Sequence, residues 1–189
     1  MKRKEEYEKL LVVVDMVNGF VKYGNMADSY INHITPRIKE LLDEFVLSGE
    51  CISFICDSHE KNSSEFKKFP IHCIKGSGEE EVISELQEYL KHANIYEKNS
   101  TSTMFAPNFM NDLEKMKKLK EVIITGCCTD ICVLNLAIPL SNYFDQNNRD
   151  VLLTIYKDAV ETYDSPLHNR DEYNSMAFKL MKQNLINVR

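Results

Sequence analysis

Apolar residues form two alternating kinds of pattern along this chain of 189 residues. Short β-branched runs such as "LLVVVD" at 10–15 predict buried strands, because they are too short for a helix and have no polar face. Longer stretches repeat apolar residues every three or four positions, which is typical of helices that cover a sheet. The predicted strands are 10–15, 51–57, 94–98, 121–126 and 150–159. The predicted helices are 35–45, 79–93, 108–119, 131–144 (with a kink at Pro139) and 170–183.

This alternation predicts right-handed crossovers and a parallel sheet covered on both faces. We therefore expect an α/β fold, a three-layer α/β/α sandwich with a central, mostly parallel sheet of about five or six strands. One domain over 1–189 is expected, with an N-terminal tail at 1–9.

Ligands in such folds bind beyond the carboxyl ends of the strands. Polar groups stand at the ends of four predicted strands: Asp15, Asp57, Lys98 and the turn "GCCTDIC" at 126–132. Because parallel strands point the same way, all four groups are expected at one edge of the sheet.

Composition narrows the classes of function. The chain is 43% hydrophobic and 28% charged, as in ordinary soluble globular domains. A net charge of −6 without a basic stripe argues against a nucleic-acid partner, and no apolar run approaches the roughly 18–20 residues of a membrane helix. The start "MKRKEEYEKL" lacks the apolar core of a signal peptide, so the six cysteines suggest free thiols in a reducing, cytoplasmic setting.

Three of the six cysteines lie in "ITGCCTDICV" at 124–133. A disulfide between the neighbours Cys127 and Cys128 would be strained, and no Cys or His pair is spaced to complete a zinc site with this turn. Cys132 falls in the first turn of a predicted helix, where the dipole stabilises a thiolate and free N–H groups can receive an oxyanion. The alternative, a small buried hydrophobe, is the commoner fate of a free cysteine, and the turn alone leaves both interpretations open.

A nucleophilic cysteine needs a base. None of the five histidines stands directly at the end of a predicted strand, but Asp15 and Lys98 do. An Asp15–Lys98–Cys132 group can work, because the carboxylate takes the thiol proton while the ammonium balances its charge. Taken singly, Asp15 also fits a cap and Lys98 a solvated side chain.

Three segments resemble the signature sites of the isochorismatase-like cysteine hydrolases. Asp15 in "VVVDMVNGF", Lys98 in "YEKNSTSTMF" and Cys132 in "TGCCTDICV" stand in the family's order and at its usual separations. The resemblance covers about Leu10 to Met181. It implies the isochorismatase-like fold and catalysis by an Asp15–Lys98–Cys132 triad.

A second polar stretch, "CDSHEKNSSEFKKFPIHCIKGSG" at 56–78, bears on the subfamily. By chemistry alone, Asp57, His59 and His72 suit zinc, iron or manganese, or else form a polar loop with two solvated histidines. The stretch resembles the nicotinamidase pattern D-x-H…P-x-H-C/N-x-x-G-[ST], and Glu65 stands where some nicotinamidases have a further ligand. The resemblance thus implies one divalent ion, zinc ahead of iron or manganese, held by all four residues.

The implied reaction is hydrolysis of nicotinamide to nicotinate and ammonia through a Cys132 thioester, in NAD salvage. The ring nitrogen would bind the metal, and Asp15 would act first as base and then as acid. The family's oxyanion hole corresponds to the backbone N–H groups of Cys128 and Cys132, entered by a cis bond from the preceding residue. Phe20 and Phe69 match aromatic positions that hold the ring, although either also fits an ordinary core.

Other features keep alternatives open. The chain has no Trp, carries Ser58 after the metal-site Asp and has "NSTST" after Lys98, where many nicotinamidases carry aromatic residues. Selectivity between nicotinamide and pyrazinamide is therefore undecided. The rival hypotheses are another amidase or ether hydrolase of the superfamily and an inactive binding module, against which the intact triad argues. Relatives commonly form dimers or tetramers, so a homo-oligomer is expected.

Overall fold

The computed structural model describes residues 3–189 and centres on a six-stranded sheet. The strands are β1 (Lys9–Val14), β2 (Cys51–Asp57), β3 (Asn94–Lys98), β4 (Glu121–Cys127), β5 (Leu152–Glu161) and β6 (Asn187–Val188). They lie in the order β3-β2-β1-β4-β5-β6, and each neighbouring pair is parallel. The order reverses direction between β1 and β4, which is the place where open α/β sheets bind ligands.

Helices cover both faces of this sheet, which confirms the three-layer α/β/α sandwich. They are α1 (Asn18–Val21), α2 (Thr35–Ser48), α3 (Phe109–Lys115), α4 (Leu134–Gln146) and α5 (Arg170–Gln183). Successive side chains of β1 point to opposite faces: Leu10, Val12 and Val14 join one apolar cluster, and Leu11 and Val13 join the other. The helices α3, α4 and α5 pack on the first cluster, while α1 and α2 pack on the second. Each fully buried Leu or Val contributes roughly 1.5–3 kcal/mol, so the two clusters hold the layers together.

The helix α2 begins where the sequence predicts and runs three residues farther. Pro36 lies in its first turn, where the missing N–H leaves no helical bond unmade. Ile38 and Leu41 are buried on one face. The helix ends at Gly49, whose left-handed φ of 63° lets its N–H return to the Val46 carbonyl.

The helix predicted over 79–93 is wrong in extent and type. Only Ser84–His92 is helical, and it forms a 3-10 helix. The residues before it bond instead to the segment that follows β1. The Glu79 carbonyl accepts the Gly19 N–H at 2.8 Å, and Val82 forms an antiparallel bridge with Val17. These backbone groups are satisfied in this way, so they are not available to an α-helix.

The helix predicted over 131–144 begins and ends later in the chain, at Leu134 and Gln146. A wide π-type turn, Thr129–Val133, precedes α4. Pro139 is inside α4 and has no N–H to offer the Asn135 carbonyl. The Ser102 hydroxyl donates to that carbonyl at 3.1 Å and so replaces the missing helical hydrogen bond.

Three further regions differ from the predictions by more than one residue. α3 ends four residues before the predicted end at 119, and β5 is shifted two residues toward the C-terminus. In the region expected to be a tail, Lys4–Glu6 form a 3-10 turn and Tyr7 is buried. Among the described residues, no helix is long and apolar enough to cross a membrane.

Candidate active site

Four neighbouring strands bring polar side chains to one edge of the sheet. Asp15 follows β1, Asp57 ends β2, Lys98 ends β3, and Cys132 lies in the turn after β4. This confirms the expectation that the four strand ends share one edge. Since β1 and β4 flank the point where the strand order reverses, the group lies in the crevice where such sheets bind ligands.

Lys98 stands at the centre of a buried charge cluster. Its Nζ lies 2.8 Å from Asp15 Oδ2, donates to Asp57 Oδ1, and donates to Cys132 Sγ at 3.6 Å. The Asp57 N–H donates to Asp15 Oδ1 at 2.9 Å and so fixes that carboxylate. Asp15 Oδ2 receives no well-aligned hydrogen bond from the described residues. This oxygen therefore pairs with the Lys98 charge and keeps a lone pair for a proton.

Burial and mutual charge shift the pKa of each member of the cluster. Burial raises the pKa of Asp15 to about 6, although the Lys98 ammonium opposes the shift. Burial lowers the pKa of Lys98. The carboxylates of Asp15 and Asp57 raise it by more, so the Lys98 pKa lies well above its ordinary value. Burial and both carboxylates also raise the pKa of Cys132 well above that of a free thiol, although the Lys98 charge lowers it. The net shift of the Cys132 pKa is therefore upward, opposite to the lowering that the helix dipole alone would give.

The turn after β4 carries both residues that were expected to form the oxyanion hole. The Cys127–Cys128 peptide bond is cis, as the resemblance implied. The N–H groups of Ile131 and Val133 both donate to the Cys128 carbonyl at 3.1 Å, which closes the turn that presents the candidate nucleophile. The Cys127 thiol donates to the backbone carbonyl of Asp15 at 3.1 Å and joins the ends of β4 and β1. No local sequence pattern pointed to this role for the Cys127 sulfur.

A second group of buried side chains adjoins the first through Asp57. Asp57, His59, Glu65 and His72 each offer one ligand atom, and these atoms lie within 4.8 Å of one another. The two Nε2 atoms are 3.2 Å apart, and each is 3.5 Å from Asp57 Oδ2. The structure thus brings together all four residues that were expected to be metal ligands.

The outer nitrogens of the two imidazoles indicate what this group can bind. His59 Nδ1 lies 2.8 Å from Asn99 Oδ1, and His72 Nδ1 lies 2.7 Å from the Pro70 carbonyl oxygen. Both partners are acceptors, so each Nδ1 is placed to donate a proton and to leave the Nε2 lone pair for a ligand on the inner side. Together with two carboxylates, these lone pairs fit a divalent cation such as zinc, iron or manganese. The sequence did not single out Asn99, whose position directly after Lys98 was the only signal available.

A cleft joins the two groups. Its lining residues are Phe20, Met26, Asp57, Glu65, Phe69, His72, Thr101, Cys128, Ile131 and Cys132. The rings of Phe20 and Phe69 lie 5.4 Å and 6.4 Å from that of His72, so both predicted aromatic residues reach the cleft. Phe66, which the sequence did not single out, lies 5.3 Å from the His59 ring. A cleft with mostly apolar walls and a few polar groups has the character of a site for a small, flat molecule.

Sequence comparison matches this chain to a known family. The family model described as the isochorismatase domain matches residues 9–189. Nicotinamidase 1 of Arabidopsis thaliana is 30% identical over 177 residues, covering 84% of this chain and 71% of that protein.

Solved structures share the fold. The pyrazinamidase/nicotinamidase of Streptococcus mutans matches with a TM-score of 0.80 at 22% identity, covering 96% of this chain and 99% of that chain. The pyrazinamidase of Pyrococcus horikoshii, solved in complex with zinc, matches with a TM-score of 0.77 at 24% identity, covering 96% and 98%. The family match over nearly the whole chain, together with this shared fold, shows that the protein belongs to the isochorismatase family.

Proposed function

We propose that this protein is a nicotinamidase, an amidohydrolase that converts nicotinamide to nicotinate and ammonia in NAD salvage. The observation that carries the proposal is that the Asp15–Lys98–Cys132 group and the four candidate metal ligands meet at Asp57. Members of both groups, among them Cys132 and His72, border one cleft. A nucleophile beside a cation site suits an aromatic amide whose ring nitrogen can be held while its carboxamide reacts. The similarity to Nicotinamidase 1 of Arabidopsis supports the same choice.

The cation site is proposed to hold one divalent ion. Its proposed ligands are Asp57, His59, Glu65 and His72. Zinc is the first choice, because it is present in the related pyrazinamidase structure, and iron or manganese are the alternatives. When bound, such an ion supplies a Lewis-acidic position for a ring nitrogen. Asn99 and the Pro70 carbonyl keep the two imidazoles oriented for this task.

The proposed chemistry begins with the thiol proton of Cys132. Asp15 Oδ2 takes this proton, and the sulfur attacks the amide carbon, so that a C–S bond forms and the carbonyl π pair moves to the oxygen. The N–H groups of Cys128 and Cys132 are the proposed donors to that oxyanion. Asp15 then gives its proton to the departing nitrogen, the C–N bond breaks, and ammonia leaves. Lys98 keeps the carboxylate oriented through the 2.8 Å ion pair.

Water completes the cycle. Asp15 takes a proton from the water molecule while the water oxygen attacks the thioester carbon. The C–S bond breaks, and the sulfur recovers a proton from Asp15. The net change is amide plus water to acid plus ammonia. Phe20 and Phe69 are proposed to hold the ring, since both border the cleft beside His72.

The proposed setting is the cytoplasm. All six cysteines are free and buried, and thiols persist in a reducing compartment. A nucleophilic cysteine also needs that environment to escape oxidation.

Ammonia release from nicotinamide tests the proposal. Wild-type protein should release ammonia, and Cys132→Ala should release none because the nucleophile is gone. Cys51→Ala is the matched control, since Cys51 is also buried but lies at the opposite end of β2 from the cleft. A chelator should stop turnover, and added zinc should restore it. Substantial activity in Cys132→Ala contradicts the assignment of the nucleophile, and full activity in chelator contradicts the metal-dependent function.

A second candidate is another amidase or hydrolase of the family that acts on a different small molecule. The cleft wall at Met26 and Thr101 is not aromatic, which leaves room for amides other than nicotinamide. The kcat/KM values for nicotinamide, pyrazinamide and an aliphatic carboxamide separate the two candidates. A higher value for a compound other than nicotinamide favours the second.

A further inference from the structure

A buried histidine that the proposed chemistry does not use contacts the nucleophile turn. His168 lies in the loop between β5 and α5 and is 6% exposed. Its Nε2 lies 2.9 Å from Asp130 Oδ2, and Asp130 stands two residues before Cys132. We propose that His168 is a positioning residue that acts through Asp130 to hold the turn that presents Cys132 to Asp15. This inference rests on the proposed function in one respect, namely that Cys132 is the nucleophile.

The His168 ring is fixed on every side. It is stacked between Tyr163, at 3.9 Å between centroids and 12° between planes, and Tyr173, at 3.7 Å and 26°. Its Nδ1 lies 3.0 Å from the Tyr163 carbonyl oxygen. Reciprocal backbone hydrogen bonds of 3.0 Å between Ser165 and His168 close the loop beneath it. Stacking sets the plane of the ring and the Nδ1 contact sets its rotation, so Nε2 has one direction in which to point.

Both ring nitrogens face acceptors, the Tyr163 carbonyl oxygen and the Asp130 carboxylate. Because the acceptor at Nε2 is a carboxylate, the contact to Asp130 is a charge-assisted hydrogen bond, which is stronger than a neutral one. The side chains of His168 and Asp130 are 8% and 7% exposed, so water competes little for this bond.

Asp130 connects this fixed ring to the nucleophile turn. It lies within the π-type turn Thr129–Val133. In the part of the chain that the structure describes, its side chain bonds to His168 and to the Thr162 hydroxyl, at 2.6 Å to the latter. Both partners belong to the segment after β5. The turn is therefore held at its start by β4 and, independently, at Asp130 by the segment after β5.

Such an anchor matters because the reacting atoms need accurate placement. A displacement of about 1 Å can lower a rate about 100-fold. The candidate metal ligands lie on β2 and the loop after it, and within the described residues none of them hydrogen-bonds to His168, Asp130 or Thr162. Loss of the anchor should therefore lower kcat, while KM should change little.

Two replacements of His168 separate positioning from packing. A Gln side chain can place its amide N–H near the position of Nε2 and keep the bond to Asp130, whereas Asn places its amide near Nδ1 and loses that bond. Both remove the stacked ring, so both should lower the melting temperature to a similar extent. We expect His168→Gln to keep about a third or more of kcat, and His168→Asn to lose roughly 10- to 100-fold, with KM nearly constant.

The rate at which iodoacetamide alkylates Cys132, followed by peptide mass spectrometry, gives a readout that needs no substrate. Wild type and His168→Gln should react at similar rates, and His168→Asn about tenfold more slowly, because a displaced Cys132 no longer passes its proton to Asp15. His92→Asn, at an exposed histidine, is the control and should change neither rate. Equal effects of the Gln and Asn replacements, or no effect of either, would overturn the positioning role. If the wild type releases no ammonia from nicotinamide while the alkylation order holds, the proposed function fails and the positioning role stands.

A variant that leaves His168 in place guards against loss of folding. Thr162→Val keeps the shape of a buried side chain and removes the other hydrogen bond to Asp130. We expect kcat and the alkylation rate to fall about two- to tenfold, in keeping with one lost hydrogen bond of roughly 0.5–1.5 kcal/mol. Rates equal to those of the wild type would overturn the anchor through Asp130.

Discussion

Replacement of Gly126, near the end of β4, by alanine should lower both the stability and the activity of the protein. The φ of Gly126 is +104°, and a Cβ at this position would lie 1.9 Å from the Val14 carbonyl oxygen. A carbon atom normally approaches a carbonyl oxygen to about 3.3 Å, so Gly126→Ala must separate β4 from β1 by roughly 1.4 Å here. β1 leads directly into Asp15, and β4 leads into the turn that carries Cys132.

Both stability and catalysis should respond to this separation. The left-handed backbone costs an alanine roughly 1–2 kcal/mol, and each β1–β4 hydrogen bond that weakens adds roughly 0.5–1.5 kcal/mol. We therefore expect the free energy of unfolding to fall by about 2–4 kcal/mol. Because Asp15 and Cys132 move apart by about 1 Å, kcat/KM should fall about 100-fold.

Urea denaturation followed by circular dichroism measures the first effect, and ammonia release measures the second. Gly49→Ala is the matched control, since Gly49 also has a left-handed φ, of +63°, but nothing lies within 4 Å of its added Cβ. It should cost about 1 kcal/mol and leave kcat/KM unchanged. Gly126→Ala with a free energy of unfolding within about 0.5 kcal/mol of the wild type and most of its activity would refute the reasoning.

Three other substitutions test separate parts of the site. Lys98→Met leaves two buried carboxylates uncompensated and should lower the free energy of unfolding by about 3–5 kcal/mol in urea denaturation; a loss below about 1 kcal/mol speaks against the buried charge cluster. Glu65→Gln should weaken zinc binding about tenfold or more in chelator competition, and unchanged affinity removes Glu65 from the ligand set. Phe20→Leu should raise KM for nicotinamide about 2- to 10-fold, from roughly 0.5–1.5 kcal/mol of ring contact; a steady-state assay that finds KM unchanged assigns Phe20 to the core.

The location of the candidate site could be predicted from the sequence, because a parallel sheet brings the carboxyl ends of its strands to one edge. Asp15, Lys98 and Cys132 each stand at or just beyond such an end. The distances between them do not follow from that rule. Lys98 reaches both Asp15 and Asp57 because β2 lies between β1 and β3, and the strand order is a property of the whole chain.

The features that could not be predicted depend on partners distant in sequence. Residues 79–83 have the acidic composition of a helix start, but the Glu79 carbonyl bonds to Gly19 instead. Asn99 and Cys127 act on groups that no local pattern connects to them. The direction of the Cys132 pKa is a similar case: the helix dipole can be read locally, whereas the burial and the two carboxylates that outweigh it cannot.

The order of these groups along the chain means that they are synthesised at different times. The proposed base, the four candidate ligands and Lys98 all lie within the first 98 residues, on β1 to β3 and their connections, while Cys132 comes with β4. The strands β1, β2 and β3 are neighbours both in sequence and in the sheet, and pairings close in sequence form faster than distant ones. A growing chain that has emerged as far as Lys98 thus carries the proposed base and the candidate metal ligands but not the candidate nucleophile. The Cys132 thiol meets the Asp15 carboxylate only when β4 docks against β1, and its turn gains the bonds to Thr162 and His168 only when the segment after β5 has joined.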